Sequence, residues 1–496
     1  MTAPEPVLEK VKLQRNFGRL DVFFLLVCTL VGVDGLGTLA TRGGAGFTWM
    51  IGSVLLFAVP SALLLAELGA AYTDEGGPYV WVRMAFGRLP AAMNNFVYWV
   101  SNPAWVGGTL VGTSCGALVV FFNDGRGFSA TVMYAIGIPF IWCGVLLTIL
   151  SARIARWVLA AGALARFALF GLFSLVVLGY GLRHGFHGVG ADSFVPTVSG
   201  FAALVPLILF SLVGFELPST AGEELRNPAR DLPSGIAKSL LATAALYGLP
   251  VLGILVVLPT SQANGLTGFP EAVKQALTVF GGRVSVHGTA VLMGWGTVLG
   301  WLMGILIVIV AFTSGLAWIL GSDRAMAVSC LDGAGPAALG QFSARFGTPV
   351  RVNLLSGVVA TAVFAATETI TGGNTYKFFS VALSLAISTT LMSYLGIFPA
   401  AWVLRRRRPQ DPRPFRAPAI GVMTLLSTIL VIFATVECLL PGLGDGWFSA
   451  ENLPSSQWVP SERWTYLAAA GLPLLAFLLL GAAFWVLGAR RPRPVP

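Results

Sequence analysis

The chain has 496 residues, of which 56% are hydrophobic and 11% are charged, and its mean hydropathy is +0.79. A soluble domain carries about 25% charged residues, so this composition excludes an ordinary soluble protein and predicts a polytopic membrane protein. The five cysteines lie singly, which predicts neither a disulfide framework nor a metal site. We also find no nucleophile–base pair and no cofactor motif, so the sequence does not predict an enzyme.

Twelve apolar segments are each about 20 residues or more, which is enough to span a bilayer. They are residues 21–41, 46–71, 90–122, 130–150, 157–182, 198–220, 235–258, 288–320, 353–372, 377–404, 418–441 and 465–488. The third and eighth segments are the long ones, and we expect them to tilt or to extend beyond the membrane.

The basic residues predict the orientation. With the N-terminus inside, 23 of the 31 Lys and Arg residues lie on the cytoplasmic side, seven lie outside and Arg166 lies within span five. This asymmetry is the positive-inside rule, and it predicts a cell-membrane protein with both termini cytoplasmic. It also explains the net charge of +9 without nucleic acid as a partner. The run Arg405–Arg408 is typical of a stop-transfer cluster, or of contact with anionic membrane lipid.

Span one contains a poor helix-forming stretch. Its residues Gly32 to Thr38 read GVDGLGT, with three glycines and one aspartate. Glycine in a membrane helix also serves close helix packing. Asp34 favours a functional break, because a buried acid needs a cation, a proton or a hydrogen-bond donor.

Span six contains a second break, within Phe210–Pro233. Gly214, Glu216 and Pro218 follow one another closely, and Pro and Gly both weaken a helix. In hydrocarbon the freed backbone groups need partners, so such a break lies in packed protein or lines a wet cavity. A kinked structural helix is the alternative.

Spans one and six each open a set of five helices, and the two sets run in opposite directions. Interrupted helices at matching places in two halves indicate an inverted-repeat transporter with its site at the midplane. The amino ends of half-helices attract an anion, and freed carbonyls attract an ammonium group. An amino acid carries both groups.

Four motifs in chain order resemble those of the amino acid–polyamine–organocation permeases. They are Glu75-Gly-Gly-Pro-Tyr79 with Ala85-Phe-Gly87, Gly214-Phe-Glu216 with Asn227–Pro233, Asp323–Ala327 with Gly347-Thr-Pro349, and Arg413–Pro418. The resemblance covers nearly the whole chain. It implies an all-α fold of 12 transmembrane helices, with a 5+5 inverted repeat of the leucine-transporter type, broken helices 1 and 6, and two further C-terminal helices.

The resemblance also implies the domain limits and the activity. The first repeat covers 21–185, the second covers 198–405, and helices 11 and 12 cover 418–488, between cytoplasmic tails at 1–20 and 489–496. Members of the family move amino acids, polyamines and related amines by alternating access, with proton symport or by exchange.

Site residues carry over by position. Gly32, Gly35 and Gly37 would hold a carboxylate, and the carbonyls of Ser211–Gly214 an amine. Phe210 would cover and gate the ligand, and Asn102 would meet its side chain. The substrate site predicted in this way consists of Gly32, Val33, Asp34, Gly35, Leu36, Gly37, Asn102, Phe210, Ser211, Leu212, Val213 and Gly214.

Three charged residues complete the expectation. Asp34 departs from the family pattern and is predicted to hold the amine, while Glu216 is predicted to move a proton or to serve a gate. We expect the two acids to lie close together at the midplane, where their charges would repel; the alternative is that both accept hydrogen bonds from unwound backbone. Arg166 is predicted to face the bundle interior between spans one, five and eight and to stand in for a cation, or else to snorkel near a helix end.

Two other functions fit the same residues. A polyamine or monoamine carrier would use Asp34 and Glu216 and leave the amides of span one idle. A membrane sensor would keep the fold without moving its ligand.

Overall fold

The structure is a computed structural model that describes residues 18–150, 152–186, 188–284, 290–370, 375–443, 446–450, 452–455 and 457–489. Residues 1–17 of the predicted N-terminal tail and 490–496 of the predicted C-terminal tail lie outside these ranges.

The chain within these ranges is mostly helical. In chain order its helices are α1 (Arg19–Leu30), α2 (Leu36–Ala40), α3 (Gly43–Ala71), α4 (Pro78–Phe86), α5 (Arg88–Phe122), α6 (Ala130–Leu150), α7 (Ala152–His184), α8 (Val198–Ser211), α9 (Pro228–Val257), α10 (Gly268–Ala276), α11 (Trp295–Leu331), α12 (Val350–Ile370), α13 (Thr375–Arg407), α14 (Ile420–Leu439) and α15 (Arg463–Ala489). A short antiparallel hairpin, β1 (Gly282–Val284) and β2 (Ala290–Leu292), precedes α11.

Nine helices in the described part of the chain are long and apolar enough to cross a membrane. They are α3, α5, α6, α7, α9, α11, α13, α14 and α15. Helices α5 and α11, with 35 and 37 residues, are the longest of them, as expected of spans three and eight. Helix α8 and the stretch Val350–Ala366 of α12 are apolar but have fewer than 18 residues, and the predicted first span is divided between α1 and α2. The count of twelve and the inverted repeat stay predictions.

Several span limits differ from those that the sequence predicted. The helix of span seven begins at Pro228 rather than at 235, because Asn227 and Pro228 start a helix well and the polar first turn is still helical. The helix of span six ends at Ser211, and a 3-10 segment, Leu217–Glu224, replaces the second half of the predicted span. Hydropathy shows how long an apolar segment is, but it does not show where the backbone hydrogen bonding of the helix ends.

Two of the long helices contain a π turn, which is one turn with an extra residue. In α5 it covers Val106–Leu110, directly after Trp105, and in α3 it covers Val54–Ala58. Pro103 precedes the first of these turns and Pro60 follows the second. A proline removes one helical hydrogen bond and favours such local rearrangement.

Packing separates an interior from a lipid-facing shell. Helix α1 packs against α7, α9 and α11, while α13 packs against α5 and α14. The most apolar window of α15 is only 17% buried, and those of α6 and α14 are 33% buried. Because these exposed faces are apolar, they suit a hydrocarbon solvent.

Buried ion pairs join the helices at one end of the bundle. Arg324 Nη1 lies 3.1 Å from Glu75 Oε1 and 2.5 Å from Glu224 Oε1, and all three side chains are at most 4% exposed. At the same end, Glu67 binds the guanidinium groups of Arg405 and Arg413. Chain segments that are far apart in sequence are thereby connected near the end of α13.

We expect Arg324→Met to lower the stability of the protein strongly, by about 3–5 kcal/mol, because it leaves two buried carboxylates without their cation. Arg351→Met is the matched control, since Arg351 is exposed and donates to the carbonyl of Ala338. The melting temperature of the detergent-purified protein measures both effects. A melting temperature of Arg324→Met equal to that of the control variant would contradict the prediction.

Candidate functional site: a cavity between two helix breaks

The first helix break lies between α1 and α2, at residues 31–35. Its freed backbone groups find side-chain partners. The Gly32 N–H donates to the hydroxyl of Tyr247 at 3.0 Å, and the Val31 carbonyl accepts from Arg166 Nε at 2.8 Å. This satisfies the requirement that backbone polar groups in a membrane interior be paired.

The second break follows α8 and contacts the first. Gly214 has φ +126°, which side chains rarely adopt, and a Cβ there would lie 2.6 Å from Thr29 Cγ2. The Trp318 indole also packs against Gly214, and its Nε1 donates to the Thr29 carbonyl at 3.0 Å. Glycine is therefore required where the two broken helices meet.

A small cavity, which we call the central cavity, lies between the breaks. Its volume is about 20 Å³, enough for about one water molecule. Its wall is made largely of aromatic and small residues: Thr29, Leu30, Gly32, Asp34, Gly35, Trp105, Leu207, Phe210, Ser211, Tyr247 and Trp318. A ligand larger than water therefore needs the surrounding side chains to move.

Asp34 is the acid of this cavity. It is 5% exposed, and its Oδ2 accepts a hydrogen bond from Trp105 Nε1 at 2.8 Å. Trp105 in turn meets Phe210 edge to face, with ring centres 5.8 Å apart. Among the residues that the structure describes, no Lys or Arg nitrogen lies within 4.0 Å of the Asp34 carboxylate. A buried carboxylate without a cation is costly, and the arrangement suits a positively charged ligand.

Glu216 is bound by other side chains than those that contact Asp34. It is fully buried, and its two oxygens accept hydrogen bonds from Tyr98 at 3.1 Å and Tyr394 at 2.6 Å. Tyr98 and Trp105, which bind the two acids, are seven residues apart on α5, or about 10 Å along a helix. The acids therefore do not share a hydrogen-bond donor, and their closeness stays a prediction.

Arg166 lies between α1, α7 and α11, where the sequence analysis placed it. It is 0% exposed, and its guanidinium donates to the carbonyls of Cys28, Val31, Gly162 and Val310. It also donates to the hydroxyls of Thr313 and Ser314 and contacts the Cys28 sulfur. The snorkelling alternative is wrong, because no part of this side chain reaches the surface. Its role in transport stays a prediction.

The structure brings five of the predicted substrate-site residues to the central cavity: Gly32, Asp34, Gly35, Phe210 and Ser211. The others do not form its wall, namely Val33, Leu36, Gly37, Asn102, Leu212, Val213 and Gly214. Gly37 packs against the Asn264 carbonyl, and the Asn102 side-chain amide donates to the Tyr98 carbonyl at 2.8 Å.

Sequence reasoning missed Tyr247, Trp318 and Tyr394. Each contacts one of the breaks or the acid that follows it, through a long-range hydrogen bond. Their only signal in the sequence is a polar ring atom within an apolar span, which also occurs in ordinary helix packing. Tyr98 and Trp105, both on α5, bind the two acids in the same way.

Comparison with known proteins agrees with this architecture. A family model described as amino acid permease matches residues 17–450. The chain belongs to the amino acid permease family. It is thus a permease of the amino acid–polyamine–organocation superfamily, as the motifs predicted, and its relatives are transporters rather than enzymes.

Similar proteins cover most of this permease. An uncharacterized transporter of Legionella pneumophila is 27% identical over 447 residues, or 88% of this chain and 90% of the relative. A probable agmatine/putrescine antiporter of Lactococcus lactis is 25% identical, covering 89% of this chain and 91% of the relative. A branched-chain amino acid permease of Bacillus subtilis is 25% identical, covering 85% and 87%.

A solved structure shares the fold. The manganese transporter of Eremococcus coleocola, in complex with an aromatic bis-isothiourea compound, superposes with a TM-score of 0.58 at 12% identity. The match covers 99% of this chain and 96% of the other. At this identity the likeness concerns the fold alone.

We expect Arg166→Met to lower the melting temperature and to abolish transport, because it leaves several buried carbonyls and hydroxyls unpaired at about 1–3 kcal/mol each. Arg166→Lys, with a charge but fewer donors, should be intermediate. Arg183→Met is the control, since Arg183 lies at the exposed end of the same helix and donates to the Val279 carbonyl. Parent-like stability and uptake in Arg166→Met would exclude this role.

Proposed function

We propose that this permease moves an amino acid or a related amine across the cell membrane by alternating access, and that Asp34 holds the ammonium group. The observation that carries the proposal is the buried Asp34 carboxylate, which faces an aromatic cavity between two broken helices and is paired with no Lys or Arg of the described segments. Trp105, Phe210 and Trp318 supply ring faces, which attract ammonium groups. The names of the relatives, which include an antiporter of amines and a permease of amino acids, support this class of ligand.

The backbone of the breaks would bind the rest of the ligand. The carbonyls at Ser211–Gly214 remain proposed for the amine, beside Asp34. Of the three glycines proposed for a carboxylate, Gly32 has its N–H bonded to Tyr247 and Gly37 packs against Asn264. Gly35, which lines the cavity, is therefore the best placed of them. We propose that Asn102 acts indirectly, through Tyr98.

Glu216 is proposed as the group that gains and loses a proton. Its position, between Tyr98 and Tyr394, connects the second break to α5 and α13. A change in its charge would alter both hydrogen bonds and thereby the contact between these elements. Arg166 is proposed as a fixed cation at the crossing of α1, α7 and α11, and it does not exchange protons because arginine stays charged.

Alternating access requires the central cavity to open to each side of the membrane in turn. We propose that Leu207 and Phe210 form the gate on one side, and that Glu216 with its two tyrosines and Arg324 with its two glutamates form the gate on the other. We propose that the end with the arginine-rich segments faces the cytoplasm, with both termini, and that twelve spans form two inverted five-helix repeats plus two further helices.

The test is uptake into proteoliposomes of matched pairs that differ only in a carboxylate, such as arginine and agmatine, or leucine and 3-methylbutylamine. If recognition depends mainly on the ammonium group, both members of a pair should be taken up. If the carboxylate is also required, only the amino acid should be taken up. A protein that binds these compounds but never moves them would be a sensor, and the proposal would fail.

We expect Asp34→Asn to abolish uptake, since it removes the countercharge that holds the ammonium in the central cavity. Glu216→Gln should keep binding but lose the uptake that a pH gradient drives, because its amide carries no titrating proton. Asp192→Asn, at an exposed acid outside the cavity wall, is the control. If Glu216→Gln keeps the parent's dependence on the pH gradient, the proton moves elsewhere or the permease is a pure exchanger.

We expect Phe210→Ala to weaken ligand binding by about 1–3 kcal/mol, because it removes an apolar ring from the wall of the cavity. Phe201→Ala on the same helix is the control, since Phe201 packs against Trp49, with tilted rings and ring centres 4.5 Å apart, and does not line the cavity. Equilibrium binding of a labelled ligand compares the two variants with the parent. Equal affinities of both variants would remove Phe210 from the site.

A further inference from the structure

A second and much larger cavity opens beside the central one, which we call the wide cavity. Its volume is about 370 Å³, within the range of small-molecule sites. It lies at the start of α13, the end of the bundle opposite to Arg405–Arg407. Its wall includes the ends of α2 and α14, a side of α8, and loop segments at 260–266 and 452–455.

The wide and central cavities are neighbours. Leu207 on α8 lines both of them, and a Cβ on Gly35 would lie 3.1 Å from its Cδ1. One apolar side chain therefore separates the two spaces at this point. Leu207 is therefore the side chain that a ligand of the wide cavity would meet on its way to the helix break that carries Asp34.

Glu437 is the acid of the wide cavity. It belongs to the last turn of α14 and is 3% exposed, and its Oε2 accepts a hydrogen bond from the Gly442 N–H at 2.8 Å. Within the described ranges, no Lys or Arg nitrogen lies within 4.0 Å of this carboxylate. The carboxyl end of a helix is negative, which adds to the attraction for a cation.

The hydroxyl groups near Glu437 form hydrogen bonds with partners other than its carboxylate. The hydroxyls of Ser384 and Tyr466 are 2.7 Å apart, and Tyr466 donates to the Cys438 carbonyl at 2.9 Å. Arg42 is the other charged residue among those described in the wall, and it has an interaction of its own. Within the part of the chain that the structure describes, the buried carboxylate thus has no Lys or Arg partner within 4.0 Å, and it adjoins a space large enough for a small molecule.

We propose that Glu437 binds the ammonium group of an arriving amine in the wide cavity, before the amine passes Leu207 to reach Asp34. The proposal rests on the proposed function for the identity of the ligand. Tyr466 and Phe379 line the same space and supply aromatic faces to the bound cation. The wide cavity is in this way a second ligand site, which collects the substrate ahead of the central one.

The direct test uses the full-length protein with Asp34→Asn, which disables the central site, and radiolabelled agmatine as the probe. The Asp34→Asn protein should still bind agmatine, and adding Glu437→Gln should weaken that binding by about threefold to tenfold, the order of magnitude of one partly buried charge pair. Adding Glu462→Gln is the matched control, because Glu462 pairs with Lys377 at 2.7 Å and does not line the wide cavity.

The second readout is transport. In the otherwise unchanged protein, Glu437→Gln should raise the KM for agmatine uptake about threefold to tenfold and leave the maximal rate within about twofold, since capture is impaired and the central site is intact. Glu437→Asp, which keeps the charge, should lie closer to the parent. It also serves as the informative variant if the melting temperature shows that Glu437→Gln does not fold.

The two proposals fail in different ways. If the parent moves no compound but Asp34→Asn still binds agmatine in a manner that depends on Glu437, transport fails and the second site stands. If Asp34→Asn binds no agmatine, or Glu437→Gln and Glu462→Gln behave alike in both assays, the second site is excluded, whatever the result for transport.

Discussion

The structure depends on the cost of leaving backbone groups unpaired inside a membrane. Both breaks create such groups, and the interior is organised to satisfy them. Arg166 is the clearest case, because one side chain on α7 provides donors to carbonyls of α1, α7 and α11. The same contacts that satisfy the guanidinium also fix the place where α1 stops being a helix. These hydrogen bonds offset the cost of the unpaired backbone groups, so the break has a defined structure.

The distribution of acids follows a similar logic. Asp34 and Glu216 are both bound by aromatic side chains of α5, but about two helical turns apart. This separation allows each acid to have its own environment: Asp34 faces the central cavity, while Glu216 is enclosed by two tyrosines. With the roles proposed for these acids, ligand recognition and proton exchange would use separate carboxylates. Helix α5 and the second break, which contact both regions, would then connect the two processes.

Much of this architecture was accessible from the sequence, because glycine, proline and acidic residues are all unfavourable in an uninterrupted membrane helix. This reasoning located the breaks at Gly32–Thr38 and at Gly214. The interior position of Arg166 was predicted separately, from a permanent charge within span five. The partners of these residues were not predicted, because Tyr247, Trp318 and Tyr394 contact them across large separations in sequence. The wide cavity was missed for the same reason: Glu437 looks like one polar residue near a helix end until α13 and α8 are placed beside it. Helix limits at Pro228 and Ser211 depend on hydrogen bonding, which hydropathy does not measure.

The π turn after Trp105 has a consequence for how this wall of the site can evolve. A π turn holds one residue more than an α turn, so deleting one residue there would restore a regular α turn, and Val111–Phe122 would keep its orientation relative to Tyr98 and Trp105. Only the side chains of the turn itself would change, and this turn directly follows the residue that binds Asp34. A change of one residue in chain length can thus be absorbed inside this helix. Insertions and deletions, usually confined to loops, offer this lineage a route to reshaping the interior of a membrane helix bundle.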